Sequence, residues 1–203
     1  QLWKHIRDSN SLLVLLSGEP GVGKTRLAHE LIVYARLGGA IILQGGCYEY
    51  EAATPYLPLA EALRTWVHDQ NTQVLRLQAI DFAPELTKLA PEIENKIGPF
   101  PSNPPLSPGE ERLRLFDNIT RFLQRLAGER GLLLFIDDLH WVDQGSLALL
   151  HYLLRNLRNT PLMVLAAYRE VELDRNHPLA DALVEWNRER MALRLPLGRL
   201  RRD

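Results

Sequence analysis

Eight residues, Gly18-Glu19-Pro20-Gly21-Val22-Gly23-Lys24-Thr25, fit the spacing G-x-x-x-x-G-K-[ST] at every fixed position. That spacing serves the binding of a polyphosphate. Glycines at 18, 21 and 23 let main-chain N–H groups converge on an anion, where a Cβ would clash or forbid positive φ. Lys24 is then placed to put a point charge on the β- and γ-phosphates, and the Thr25 hydroxyl to ligate Mg²⁺. Glu19, Pro20 and Val22 lend backbone to the loop, and Arg26 opens the helix behind it, whose N-terminal dipole adds to the anion site. Lysine is scarce here, with only Lys4, Lys24, Lys88 and Lys96 against twenty arginines. Composition alone would favour arginine at position 24, so the lysine reflects chemistry.

A second chemical stretch is Gly131-Leu132-Leu133-Leu134-Phe135-Ile136-Asp137-Asp138. Its unbroken apolar run reads as a strand buried on both faces, with paired acids at the carboxyl end, where open α/β sheets place their ligands. This is a Walker B pattern: Asp137 would hold Mg²⁺, and Asp138 sits where an attacking water is polarised. The plainer alternative is a strand that ends in a solvated acidic turn. Leu162–Ala167 forms a further apolar strand that delivers Tyr168 and Arg169 to the same edge. There Arg169 either contacts a γ-phosphate or pairs with Glu170. His140, three residues after Asp137, either borders the phosphate site or packs against its tryptophan neighbour. The six histidines show no pair suited to a metal, and Cys47 reads as a small buried hydrophobe.

These groups need a scaffold, and the sequence supplies one. Ser11–Leu16 reads as a strand before the phosphate loop, and 26–37 as the helix after it, with Leu27, Leu31 and Tyr34 on one side and Gly38-Gly39 as its end. Ala40–Leu43 is a second strand; Gly45-Gly46 beyond it reads as a strand exit, since no Lys-Ser/Thr follows. Residues 58–97 are helical in pieces divided by Pro84 and Pro91, with apolar stripes Leu59/Leu63/Trp66/Val67, Val74/Leu75/Leu77 and Leu86/Leu89. Residues 98–108 hold five of the thirteen prolines and form a surface loop, a connector or a docking site. Ser107-Pro108-Gly109-Glu110 is a helix start, N-cap serine followed by proline and a glutamate three residues on. That helix would bury Leu113, Phe116, Ile119, Leu123 and Leu126 and stop at Gly128. Asp143 caps a helix carrying Leu147, Leu150, Leu153, Leu154 and Leu157; a last helix opens at 176–178, and Ala192–Leu195 forms an edge strand. Residues 1–7 have helical spacing.

A length of 203 residues fits one α/β domain. Lysine plus arginine number 24 against 25 acids, evenly spread between the two halves, which gives no electrostatic reason to expect nucleic acid or a membrane surface as partner. A single cysteine excludes an internal disulfide framework, and no apolar run reaches the length of a membrane span, so a cytoplasmic setting is expected. The first residue is not Met and the last segment has no settled end, so we expect residues 1–203 to be one domain of a larger multidomain protein.

The phosphate loop, the run Asp137-Asp138-Leu139-His140-Trp141-Val142-Asp143 and the strand ending in Arg169 together resemble the STAND class of signalling P-loop ATPases. The likeness is strongest to the branch found in large LuxR-type transcriptional regulators and beside adenylate cyclase or kinase domains. It extends to Pro55–Leu59 and to Leu195-Pro196-Leu197. The resemblance implies an α/β fold, a three-layer P-loop NTPase sandwich with a mainly parallel sheet ordered 5-1-4-3-2. It implies ATP/ADP and Mg²⁺ as cofactors, with Lys24 and Thr25 on phosphate and metal, Asp137 on the metal, Asp138 on the water and Arg169 as γ-phosphate sensor. Implied partners are nucleotide, further copies of the chain, or regulatory domains of the same protein. Such proteins also carry a Gly-Arg-bearing segment at the adenine and a winged-helix region that closes on the nucleotide, neither of which this sequence includes. The expected function is an ATP-binding, slowly hydrolysing switch domain. The alternatives are a DNA-handling AAA+-type ATPase and a nucleotide-binding scaffold without turnover.

Overall fold

Five apolar runs, each four to seven residues long and flanked by glycine, proline or polar turns, become five parallel strands in a computed structural model that describes residues 11–51, 54–174 and 177–198. They are β1 (Leu12–Ser17), β2 (Ile41–Gly46), β3 (Leu132–Asp137), β4 (Leu162–Tyr168) and β5 (Ala192–Pro196). The spatial order is β2-β3-β4-β1-β5, which is the expected 5-1-4-3-2 read from the other side, and every pairing is parallel. The helical expectation for residues 1–7, Asn176 and the segment 199–203 lie outside the described residues.

The helices are α1 (Lys24–Leu37), α2 (Leu57–Asp69), α3 (Thr72–Ala79), α4 (Ala83–Leu86), α5 (Glu92–Ile97), α6 (Pro108–Ala127), α7 (Gln144–Asn156) and α8 (Pro178–Arg188). They divide between the two faces of the sheet. Val14, Leu16, Leu133, Phe135, Met163 and Leu165 meet α1 on one face, while Leu13, Leu15, Leu132, Leu134 and Val164 meet the larger helical layer on the other. Burial of β1, β3 and β4 on both sides explains why these stretches of sequence are continuous apolar runs with no alternation.

The apolar stripe of α1 is in a different place from that which periodicity gives, and the stripes of α6 and α3 differ at individual positions. On α1 the buried residues are Ala28, Ile32 and Ala35, whereas Leu27 is 44% and Tyr34 51% exposed. Close approach of a helix to a sheet favours small side chains at the contact, so the alanine row faces inward and the bulkier row faces out. On α6, Leu113 is 55% exposed and Leu115 takes its place beside Phe116, Ile119, Leu123 and Leu126. In α3 only Leu75 of the expected trio is buried.

The caps follow the sequence. Ser107 and Glu110 form the reciprocal capping box of α6, Gly128 ends that helix at φ 44°, and Asp143 accepts from the Ser146 amide at 2.8 Å to start α7. Gly45 and Gly46, read as lying beyond the strand, are instead its last two residues, paired with Ile136 and Asp137, and Gly45 has a physical reason to be glycine. A Cβ on Gly45 would lie 1.8 Å from the Pro58 carbonyl oxygen, because α2 begins hard against β2. Gly45→Ala is therefore expected to lower unfolding free energy by about 2 kcal/mol, as the first turn of α2 moves away. Urea unfolding of the variant checks this, and an unchanged midpoint would contradict the close packing.

Candidate functional site

The phosphate-loop pattern lands at the carboxyl end of β1 and runs straight into α1, as strand, glycine turn and helix start. Gly18, Gly21 and Gly23 have φ of 152°, 76° and 102°, conformations open to glycine and strained for other residues. Nothing lies within 4 Å of a Cβ built on Gly21 or Gly23, so it is their positive φ and not a neighbouring atom that calls for glycine there. Gly18 differs: a Cβ there would come 2.6 Å from the Leu197 carbonyl, where the chain leaving β5 crosses the loop. Glu19, Pro20, Gly21 and Arg26 are exposed at the rim, and Val22 is half-buried.

Lys24 is buried and folds back over the loop, its Nζ donating to the carbonyls of Gly18 at 2.9 Å and Glu19 at 3.0 Å. Burial, and then the charge of Arg169, lowers the ammonium's pKa from its ordinary value, while Asp138 and Asp137 pull it up. The Thr25 hydroxyl donates to Asp137 Oδ2 at 3.0 Å, across 112 residues of sequence. The other Asp137 oxygen accepts from the Asp138 amide at 3.0 Å. Asp138 itself has φ 50°, the left-handed region that aspartate tolerates, and the short turn Leu139–Trp141 begins at once behind it.

Arg169 reaches this cluster from the end of β4. Its Nε lies 3.8 Å from Asp138 Oδ1, and its Nη1 lies 3.6 Å from Glu172. The sequence offered Glu170 as the alternative partner; the helical turn at Glu170–Glu172 brings forward the residue three positions on. His140 packs against Trp141, its ring tilted with centroids 5.1 Å apart, and its Nε2 lies 3.9 Å from Asp138 Oδ1. Cys47 is buried at the end of β2, its amide donating to the Asp137 carbonyl. Burial, with the charges of Asp143, Asp138, Asp137 and Glu61 behind it, pushes its thiol up to about 12.

Two features carried no sequence signal. Glu61 of α2 accepts from the Gly46 amide at 2.7 Å and from the Tyr48 hydroxyl at 2.9 Å, and Gly46 pairs in register with Asp137. Glu61 therefore fixes the strand end beside the acids. The second is a cleft of about 660 Å³ next to the loop, lined by Gly18, Val22, Val171, Pro196 and Leu197.

The donor set fits the groups that the spacing implies. A hydroxyl and a carboxylate in contact are hard oxygen ligands suited to Mg²⁺, and a glycine loop of positive φ with an ammonium on it suits a phosphate chain. Among the described residues no helix is long and apolar enough to cross a membrane.

The sequence matches the family model described as the AAA ATPase domain over residues 1–165. A search of curated proteins finds no match. Among solved structures, the Walker-type ATPase of Pyrococcus abyssi superposes with a TM-score of 0.51 at 18% identity, covering 96% of this chain and 51% of that one. A chain in the structure of Drosophila ORC bound to AT-rich DNA and Cdc6 gives 0.48 at 16% identity, covering 98% and 52%. The chain thus spans about half the length of these two structures. Similarity at such identity concerns the fold alone.

Proposed function

The chain belongs to the AAA ATPase domain family, and from that premise we propose that it is an ATP-binding, slowly hydrolysing switch domain of a larger signalling or transcriptional regulator. The observation that carries this reading is the 3.0 Å contact between Thr25 and Asp137, which joins the two motifs into one metal-binding geometry beside Lys24. The signalling assignment draws its support from the run Asp137–Asp143 and from the pairing of Asp138 with Arg169.

In this reading the loop amides of residues 18–25 and the α1 dipole bind the phosphate chain, and Lys24 turns from the Gly18 and Glu19 carbonyls to the β- and γ-phosphates. Thr25 and Asp137 hold the metal, and the cleft beside Pro196 and Leu197 receives the nucleoside. ATP·Mg²⁺ supplies the transferable phosphoryl group and the charge that stabilises its departure. Asp138, partly exposed, orients the attacking water and accepts its proton. Arg169 leaves Asp138 and Glu172 for the γ-phosphate, so its position reports which nucleotide is bound.

Calorimetric titration with ATP·Mg²⁺ tests the binding reading and is expected to give micromolar affinity; absence of binding to the folded chain would remove it. With Asp138 about 40% exposed in an open site, turnover is expected well below the median enzyme rate of about 10 s⁻¹. Asp138→Asn should lower it about tenfold, less than a water-excluded base achieves. An unaltered rate would favour the scaffold without turnover, and a rise on adding DNA would favour the DNA-handling alternative.

A further inference from the structure

His140 is 1% exposed, and neither ring nitrogen has a hydrogen-bond partner among the described residues. Buried polar groups are normally satisfied, so an imidazole with two orphaned nitrogens calls for a partner that another state of the site provides. The nearest candidate is Asp138 Oδ1, 3.9 Å from Nε2, too long for a hydrogen bond but within reach of a side-chain rotation. Arg169 Nε lies 3.8 Å from the same oxygen. One carboxylate oxygen therefore stands between two donors, and neither holds it at hydrogen-bond distance.

The charges that act on His140 are those of Asp138, Arg169, Glu172 and Lys24. Burial, the largest influence, lowers its pKa, so the ring is neutral at neutral pH and carries one N–H. Trp141 packs against the ring and limits its tilt, with an interplanar angle of 45°. A neutral ring held in this way offers a single directed donor, and the Asp138 carboxylate is the acceptor in front of Nε2.

We propose that His140 is a positioning residue: its Nε2–H takes up the Asp138 carboxylate when Arg169 turns to the γ-phosphate, and so fixes Asp138 on the attacking water only in the ATP state. The inference rests on the ATP-switch reading above. It adds a mechanism for coupling the sensor arginine to the water-orienting acid: Arg169 and His140 exchange one carboxylate, with no larger movement required.

Side-chain ¹⁵N shifts of His140 give a readout independent of turnover. The neutral Nε2–H tautomer is expected, with an Nε2 shift that moves when a non-hydrolysable ATP analogue and Mg²⁺ are added. Without nucleotide, Arg169→Ala should move it in the same direction, because Asp138 is released, and Asp138→Ala should abolish both responses. A neutral Nδ1–H tautomer, or a shift indifferent to Asp138→Ala, overturns the proposal. In single-turnover hydrolysis, His140→Leu should slow the chemical step about tenfold and leave ATP affinity within about threefold. His140→Gln, which keeps a donor near the Nε2 position, should restore most of that rate. In an Asp138→Asn background His140→Leu should add nothing. Equal losses in the Gln and Leu variants, or additive losses with Asp138→Asn, overturn the proposal. Should His140→Leu fail to fold, the Gln variant and the shifts decide. If the unsubstituted chain binds no ATP, the switch reading fails, while the responses to Asp138→Ala and Arg169→Ala still decide whether His140 reads Asp138.

Discussion

Lys24→Ala is expected to reduce ATP affinity by at least about a hundredfold, to below calorimetric detection, while the chain stays folded. The reason is local. Among the described lysines Lys24 alone stands at the phosphate loop, and its Nζ is already in place, 2.9 and 3.0 Å from two loop carbonyls. The ammonium can exchange those carbonyls for phosphate oxygens by a small side-chain movement. The ammonium is partly desolvated, which lowers its pKa, so the charge is held at a cost that a phosphate chain would relieve. Removing it should not unfold the loop, because Leu27 N–H to Gly23 O and Val22 N–H to Glu19 O remain. An arginine variant is a sharper control, since a planar guanidinium cannot occupy the same small pocket under two carbonyls. Lys24→Arg should also lose most of the affinity. Unchanged affinity in Lys24→Ala would mean that the loop does not bind phosphate through Lys24.

The reach of the sequence differed between local and distant relations. Gly18–Thr25 is a contiguous pattern with each residue type tied to a backbone need, and the structure places it on the expected strand–turn–helix. The strand order follows the 5-1-4-3-2 arrangement that the resemblance implied, whereas an apolar run such as Leu132–Ile136 by itself marks only a strand buried on both faces. The contact of Thr25 with Asp137, 112 positions apart, could be expected only through the motif pair; nothing between them encodes it. The phase of α1 was not legible. Leu27, Leu31 and Tyr34 share the helical period with Ala28, Ile32 and Ala35, and only contact with the sheet selects the smaller set. Glu172 was missed as the Arg169 partner because the tight turn that places it three residues on is set by the end of β4. Glu61 and Glu85 were missed because each reads as an ordinary helix-surface acid, and it is a distant segment folding over them that changes their role.

Glu85 carries the second large expectation: Glu85→Ala should lower unfolding free energy by about 3–5 kcal/mol and the midpoint temperature by about 10 °C. Its carboxylate is fully buried on α4. Three groups from three segments meet it: Lys88 at 2.8 Å, Arg114 of α6 at 2.7 Å, and the Asn103 amide of the proline-rich loop, which donates at 2.7 Å. Arg114 also donates to the Pro104 carbonyl at 2.8 Å, so one carboxylate and one guanidinium pin residues 103–104 to the helical layer. Without Glu85, Arg114 would keep, among the described residues, only the more distant Glu111, at 3.6 Å, as a counter-charge, in a site where its side chain is 19% exposed. The pH dependence has a definite sign. Burial pushes the Glu85 pKa up, but the bonds from Lys88 and Asn103 and the charges of Lys88 and Arg114 outweigh it, leaving the folded value below the ordinary 4.5. A depressed folded value contributes stability above the unfolded pKa and loses it as pH falls through the folded one. The gap between wild type and Glu85→Ala in urea unfolding should therefore be full at pH 7 and narrow below pH 4.5. A loss of under about 1 kcal/mol at pH 7 would place the pair among ordinary surface ion pairs. A gap that widens in acid would show that Glu85 is protonated in the folded protein, and that the prolines of residues 98–107 are held by packing and not by this charge.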